Sequence, residues 1–520
     1  MSTISEGRLG AAYATGAIGA CCLAVLMGAA PLSAQFTDFQ GGKLFLDVEG
    51  NMSPFGLASN TGARGAMSNV TTLYPSASSL FGNPAGLGRL QGMSVQTDFF
   101  LPGLGLGVSS ERTKILRNNL RAPIREFLEG EGNKVDHPVY PDVNLGLYQS
   151  TNLGGFSVAF GGPAATLAAG VQQPFRGRLD FGLGGLRLGL GIPEDDNVEG
   201  GDSIKVLLSV DAFARVNVEL NDFSFGLGGS PRPGLTLGVA YHRYTADMLL
   251  EAGAKVDGIL QRAGQESFFN SDVAYRDDLD ARGEGQVRGE AHGFRLGASW
   301  KPFRHLGMDA MLSMAETMRL DGDIRTEYHV LPSLDFGGEQ IMSPSAMNPT
   351  KLTLTTRNRQ TLRDIQVNLP WEGAVSFHSE WENFKINLDW SYFLRGMSVS
   401  YRVIDSVDAY DTAAKDIHLS AGGVDSVETS ESRSRYRVGL NQQFAVGLQA
   451  WQVFLQLGGI FYSVKDDVVG EAAAYQPDWL PFLPTMNVGY WFPVGPRFTA
   501  TVSLVAFPVS LFKTSVEYRY

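Results

Sequence analysis

Alternation constrains this chain more than any other feature. Residues 204–220 read IKVLLSVDAFARVNVEL, and over most of that run apolar residues take turns with small or polar ones. Successive side chains of a strand point to opposite faces, so such a run makes a strand with one apolar face. Related runs recur at 93–110, 144–160, 175–192 and 235–249, and again near the C-terminus, where Phe512, Val516, Tyr518 and Tyr520 share one face. The one long apolar segment is residues 9–30. Glycine is frequent at 62 residues, aromatics reach 11%, and charged residues are held to 18%. Mean hydropathy is nevertheless only -0.05. Aromatic and Gly-rich alternation without long apolar helices fits strands that face lipid on one side and a lumen on the other. The fold class expected is therefore all-β: a transmembrane antiparallel β-barrel of about 14 strands, an even number. A closed barrel also leaves no strand edge unpaired in lipid.

Arg8 precedes the apolar segment and Leu32-Ser33-Ala34 follows it, which reads as a secretory signal peptide over 1–34, cut after Ala34. Two alternatives stand beside it. One is a retained anchor; the other is lipoprotein processing at Cys21, after Ile18-Gly19-Ala20. Cys21 and Cys22 are the only cysteines, so a chain cut after Ala34 holds no disulfide and no thiolate metal site. The net charge of -12 argues against a nucleic-acid partner.

Residues 74–92, YPSASSLFGNPAGLGRLQG, break the alternation. Pro84 removes a donor and steers Asn83 away from helix, while Gly82, Gly86 and Gly88 weaken any strand. A compact run of tight turns is expected. Residues 78–92, SSLFGNPAGLGRLQG, resemble the segment that closes the N-terminal hatch of the FadL/TodX family of outer-membrane transporters. Gly62-Ala63-Arg64-Gly65-Ala66 resembles the Gly-x-Arg-Ala element that precedes that segment. Further on, Trp300-Lys301-Pro302, Leu369-Pro370, Trp390-Ser391 and Tyr436-Arg437-Val438 resemble the family's strand ends and strand starts, in the same order.

The resemblance implies a division into an N-terminal plug over 35–92, lying inside the lumen, and a barrel over 93–520. It implies a channel in the outer membrane of a diderm bacterium for passive uptake of long-chain fatty acids or other hydrophobic molecules. It also implies a kink or gap in the wall that passes the ligand sideways into the bilayer. Asn83, Pro84, Ala85 and Arg64 are the hatch and gate residues it points to. Phe36 and Phe39, with Arg433 and Arg435 as cations for a head group, are candidates for the ligand path. Expected partners are the hydrophobic ligand, outer-membrane lipid and lipopolysaccharide, and the barrel assembly machinery that reads the aromatic C-terminal strand; a monomer is expected. A second reading is a hatch-containing barrel that binds protein cargo for secretion, for which long loops at 111–143 and 251–286 are suited. The first loop carries an amphipathic helical signal and the second a shorter one near 256–262. Asn383, Gly447–Ala450, Asp466 and Gly495-Pro496 read as markers of turns or loops between strands.

Chemistry is not expected. The seven histidines show no metal-ligand spacing, and neither a Gly-x-Ser-x-Gly elbow nor a phosphate-binding loop occurs. His242 and the His378-Ser379 pair are the places where a lipase-like rim site would lie, and their local sequence gives no support for one. The protein is read as a non-enzyme without a cofactor.

Overall fold

The computed structural model describes residues 35–52, 70–100, 121, 125, 135, 137–148, 152–192, 204–262, 265–269, 280–330, 354–411, 417–418, 428–468, 482–507 and 509–520. The signal segment and most of 111–143 therefore lie outside the described residues.

In chain order the strands are β1 (Gln35–Gln40), β2 (Lys43–Met52), β3 (Gly92–Phe100), β4 (Asp142–Tyr148), β5 (Asn152–Gly161), β6 (Ala165–Ile192), β7 (Ile204–Arg232) and β8 (Leu235–Arg262). Then come β9 (Gln265–Phe269), β10 (Asp280–Trp300), β11 (Leu306–Ala315), β12 (Thr317–Asp321), β13 (Ile324–Val330), β14 (Leu354–Asn368), β15 (Trp371–Glu380), β16 (Phe384–Arg395) and β17 (Met397–Asp411). The last are β18 (Ile417–His418), β19 (Glu428–Ala450), β20 (Val453–Val468), β21 (Phe482–Pro493), β22 (Phe498–Phe507) and β23 (Val509–Arg519).

Three wall strands are interrupted once or twice. β11, β12 and β13 are one run broken at Glu316 and at Gly322-Asp323; β14 and β15 are broken at Leu369-Pro370; β16 and β17 at Gly396. Counted this way, and setting aside β1, β2 and the short β4, β9 and β18, the wall has 14 strands among the described residues, each antiparallel to the next, and β23 pairs back onto β3 to close it. Tyr520 and Met93 exchange two backbone hydrogen bonds at 3.0 and 2.9 Å and seal the seam.

The alternation has the outcome that strand geometry demands. Along β16, Asn387, Asp389 and Ser391 are buried, while Leu388, Trp390, Tyr392 and Leu394 are about half exposed. The same division runs round the wall, with Phe223, Phe225, Leu237, Phe294 and Leu296 turned outward and Gln96, His242, Arg295, Gln443 and Gln456 turned inward. An outward apolar band around a polar interior is what a bilayer selects. Trp300, Phe303, Trp381, Trp451 and Tyr520 are exposed at or beside the short connections, as an interfacial girdle requires. The band ends on the other side at Arg243, whose Nε donates to Glu290 at 3.0 Å. That hydrogen bond, and then the arginine's charge, hold the Glu290 carboxyl below the usual carboxylate range.

The wall is uneven in height. β7 has 29 residues and β6 and β8 have 28 each, whereas β3 has 9. A strand tilted through a bilayer needs roughly 9–11 residues. So β6, β7, β8 and β10 rise far above the membrane. The loop expected over 251–286 is corrected here: 251–262 continue β8, and 280–286 are already β10. The reason is legible in Ala252, Ala254, Gly283 and Gly285, which keep the small-and-charged alternation going. Asp466, expected in a turn, lies within β20 opposite Tyr436, and Gly447–Ala450, expected likewise, form the end of β19 opposite Val453–Gln456, whereas Asn383 and Gly495-Pro496 do sit in connections.

Residues 35–52 were expected in the lumen as part of the plug; the structure puts them in the wall. β5 pairs with β6 only as far as Gln172, where Gln173-Pro174 interrupts the register. Pro174 has no N–H to give to a ladder. Above it β2 pairs with β6, from Met52 opposite Phe175 to Lys43 opposite Gly184, and β1 continues to Gln35 opposite Gly191. The other edge of β2 runs parallel to β4. The N-terminal strand is thus wedged between β4 and β6 as a supernumerary wall strand.

Candidate functional site

Residues 70–92 fill the barrel interior at membrane height. Two short 3-10 turns, Ala77–Leu80 and Pro84–Arg89, carry the fold of this segment. Asn83 caps the second: its side-chain oxygen accepts from Ala85 N at 3.0 Å, and Pro84 at the first position needs no partner for an N–H. Leu80, Phe81 and Leu87 are fully buried and pack with Ala77, Leu90, Ala159, Ala168 and Ala240.

The wall makes room for these turns with glycine. A Cβ at Gly228 would lie 2.6 Å from Leu87 Cβ, and one at Gly226 would lie 2.6 Å from a Leu80 methyl. Cβ atoms at Gly238 and Gly297 would run into Pro84 and Asn83. β7, β8 and β10 therefore present a flat backbone floor against which Asn83-Pro84 is seated.

Polar contacts fasten the same segment. Asp309 accepts from Thr72 N at 2.7 Å and from Thr72 Oγ1 at 2.9 Å, and its carboxylate lies 3.1 Å from His378 Nδ1. Arg89 donates to Thr72 O at 3.1 Å and to Ser299 Oγ at 2.7 Å. Asn83 Nδ2 donates to Val70 O at 2.9 Å and to Ala310 O at 3.2 Å. Arg295 donates to the carbonyl of Phe81 and, at 3.2 Å, to Ser313 Oγ. Thr166 Oγ1 reaches Leu90 O at 3.2 Å. Nearly all these groups are shielded from water, where an unmade hydrogen bond costs more than in solvent.

Above the hatch the inner wall changes character. Leu220, Tyr244, Val287, Ala291, Met318, Leu320, Ile324 and Ile365 form one buried apolar cluster, with Phe175, Met248, Leu250, Val399 and Tyr401 packed against it. The cluster sits on inward faces from β6 round to β17. Higher still, a cavity of about 1070 Å³ is bounded by β7, β8, β10 and the start of β13. Its lining mixes Ala212, Leu250, Ala252 and Ala254 with charged residues from alternate positions, such as Glu251 and Arg282.

A polar cluster with the composition of a hydrolytic triad also lies inside the wall. Ser224 Oγ is 2.7 Å from His242 Nδ1, Asp222 approaches the same nitrogen at 3.0 Å, and Gln172 donates to Asp222 at 2.8 Å. A nucleophile relay needs the serine on one ring nitrogen and the carboxylate on the other. Here both address Nδ1, and Tyr244 stacks on the ring at 5.7 Å. Near His378, Ser379 Oγ donates instead to the His305 carbonyl at 2.7 Å. The arrangement buttresses the wall beside the hatch.

Of the residues singled out in sequence, Asn83, Pro84 and Ala85 lie together against Gly238, Gly297 and Ala310. Arg64 lies outside the described residues. Phe36 and Phe39 are on β1, opposite Leu190 and Leu188 near the top of β6, and Phe39 is buried. Arg433 and Arg435 are on β19, opposite Arg402 and Ser400 of β17. These four are not brought to the hatch. Thr72, Arg89, Arg295, Ser299 and Asp309 were missed. A signal existed for two of them: in 293–299, GFRLGAS, the positions Gly293, Arg295, Gly297 and Ser299 share one face, so an arginine stands on the small, inward side of a strand.

No known family description matches the chain, and no curated protein matches it. Solved structures do resemble it. The CymD monoaromatic hydrocarbon channel is similar over 90% of this chain and 99% of its own, at 11% identity and a TM-score of 0.43. The toluene transporter TodX of Pseudomonas putida gives the same coverage and identity with a TM-score of 0.42. A FadL homologue of Pseudomonas aeruginosa covers 90% of this chain and 99% of its own, at 13% identity and a TM-score of 0.36.

Proposed function

We propose that this chain is an outer-membrane channel for passive uptake of hydrophobic molecules, long-chain fatty acids being one class that the sequence resemblance brings forward. The observation that carries this reading is the vertical order of surfaces: a buried apolar inner wall stands directly above a hatch that is fastened to the wall by a small set of contacts. A hydrophobic molecule meets steep resistance in a charged lipopolysaccharide layer. An apolar surface inside a tall barrel offers it burial worth about 0.8 kcal/mol per CH₂. The hatch then decides whether the molecule goes further. Asn83, Pro84 and Ala85 serve as its seat, with Thr72, Arg89, Arg295 and Asp309 as its fastenings. In this reading residues 1–34 are removed on export, and lipopolysaccharide surrounds the charged outer face above Arg243.

Uptake tests it. Cells lacking other hydrophobic-uptake barrels are given this chain or an empty vector, and entry of a labelled long-chain fatty acid and a labelled hydrocarbon is followed at verified barrel levels. Faster entry of at least one probe is expected. Equal entry of both, with folded barrel in the outer membrane, overturns the reading.

A further inference from the structure

We infer that the upper inner wall is a binding surface for uncharged hydrocarbon chains, and that a ligand with an anionic head group is disfavoured there. The inference rests on the transport reading and narrows it to a ligand class.

The surface is read from strand parity. On β7 the inward positions are Leu208, Val210, Ala212, Ala214, Val216, Val218 and Leu220, in register with buried or half-buried neighbours on β6 and β8. On β8 they are Tyr244, Ala246, Met248, Leu250, Ala252 and Ala254. β10 adds Ala281, Gly283, Gly285, Val287, Gly289 and Ala291. β6 adds Phe175, Leu179, Phe181 and Leu183, and there the N-terminal strand joins in, with Leu44 opposite Leu183 and Leu46 opposite Phe181. At about 3.3 Å per residue the β7 run alone is roughly 40 Å long. Among these positions none carries a formal charge at neutral pH.

Along these stretches of β6, β7, β8 and β10 the charges are on the other parity, and most of them are paired. Arg215 reaches Asp180 at 2.9 Å and Glu251 at 3.2 Å, Arg288 reaches Asp247 at 2.7 Å, and Arg282 reaches Glu284 at 3.0 Å. Lys255 lies 3.4 Å from Asp257, and Arg325 lies 3.4 Å from Asp323. The first inward cation below this surface is Arg295, which already serves Phe81 O, Ser313 and Tyr244. Beside it at hatch level stand inward carboxylates, among them Asp222, Asp309, Glu372 and Asp389. The cations that border the cavity here, Lys255, Arg282 and Arg325, are already paired with Asp257, Glu284 and Asp323, so a carboxylate ligand lying on this face would find no free partner among them, and burying an unpaired charge is costly. A neutral chain has no such charge to desolvate.

The test uses whole cells carrying the full chain, with n-hexadecane and hexadecanoate as probes at neutral pH and vector-only cells as reference. The expected result is at least a fivefold greater chain-dependent entry rate for hexadecane. A second measurement uses Met248→Arg and Leu46→Arg, which place a cation on the inward face. Each should cut hexadecane entry and raise the hexadecanoate-to-hexadecane ratio at equal barrel levels. Chain-dependent entry of hexadecanoate alone, or of both at equal rates, overturns this inference and leaves the transport reading standing. Entry of neither overturns both.

Discussion

Replacing Asn83 by Ala isolates the hatch from the wall that holds it. The side chain makes three hydrogen bonds: Nδ2 to Val70 O and to Ala310 O, and Oδ1 from Ala85 N, at 2.9, 3.2 and 3.0 Å. Asn83 is 3% exposed, so water does not replace them without opening the segment. At about 1 kcal/mol for each neutral bond the loss is roughly 3 kcal/mol, which is close to a hundredfold in the opening equilibrium of the hatch. Barrel strands keep every ladder bond, because none of the three bonds joins two wall strands. Hydrogen exchange of the purified barrel, read by mass spectrometry on peptides within 70–92 and within β6–β8, checks both halves. Exchange of 70–92 should accelerate about a hundredfold while the wall peptides keep the wild-type rate. Unchanged exchange in 70–92 would refute the seat assigned to Asn83, and equal acceleration in the wall would refute the independence of hatch and barrel.

Three further outcomes follow from the same contacts. Gly238→Val places a branched side chain on the Pro84 carbonyl and should give a heat-modifiable barrel whose hatch is released to protease, whereas wild type resists; resistance in the variant counts against the glycine floor. Asp309→Ala strips two bonds from Thr72, each worth about 1.5–3 kcal/mol because the acceptor is charged, and should expose 70–92 more than Asn83→Ala does in the same exchange assay. Deleting Tyr518, Arg519 and Tyr520 removes the Met93–Tyr520 seam and part of the β23–β3 ladder, and heat-modifiable barrel should fall below a tenth of wild type by gel; normal amounts contradict the closure described.

How much of this was readable beforehand depends on where the information sits. Strand identity is local, and 204–220 announced β7 through its own alternation. Strand length was underestimated because Ala252, Ala254, Gly283 and Gly285 are small rather than apolar, so the inward face of the extension looked like loop. The turns around Asn83-Pro84 were visible because proline and glycine act on their own backbone. Their fastenings were not, since Thr72 and Asp309 lie 237 residues apart and meet only once the wall is closed. Residues 35–52 misled for a related reason. KLFLDVEG alternates well enough for a strand, but its partner Phe175–Gly184 segment is named by nothing near it.

That wedge bears on how the barrel is made. Most wall strands meet a neighbour a few residues or one loop away, so the sheet can grow hairpin by hairpin. The edge of β6 from Phe175 to Gly191 is different: its partners come from residues 35–52, more than a hundred positions upstream, and a parallel contact with β4 cannot arise from a hairpin. Until that segment arrives, the edge offers unpaired backbone to any strand in reach. Pairing of this long-range strand in register therefore becomes a step of its own in assembly and, like the β23–β3 closure, a slow one by the logic of contact order.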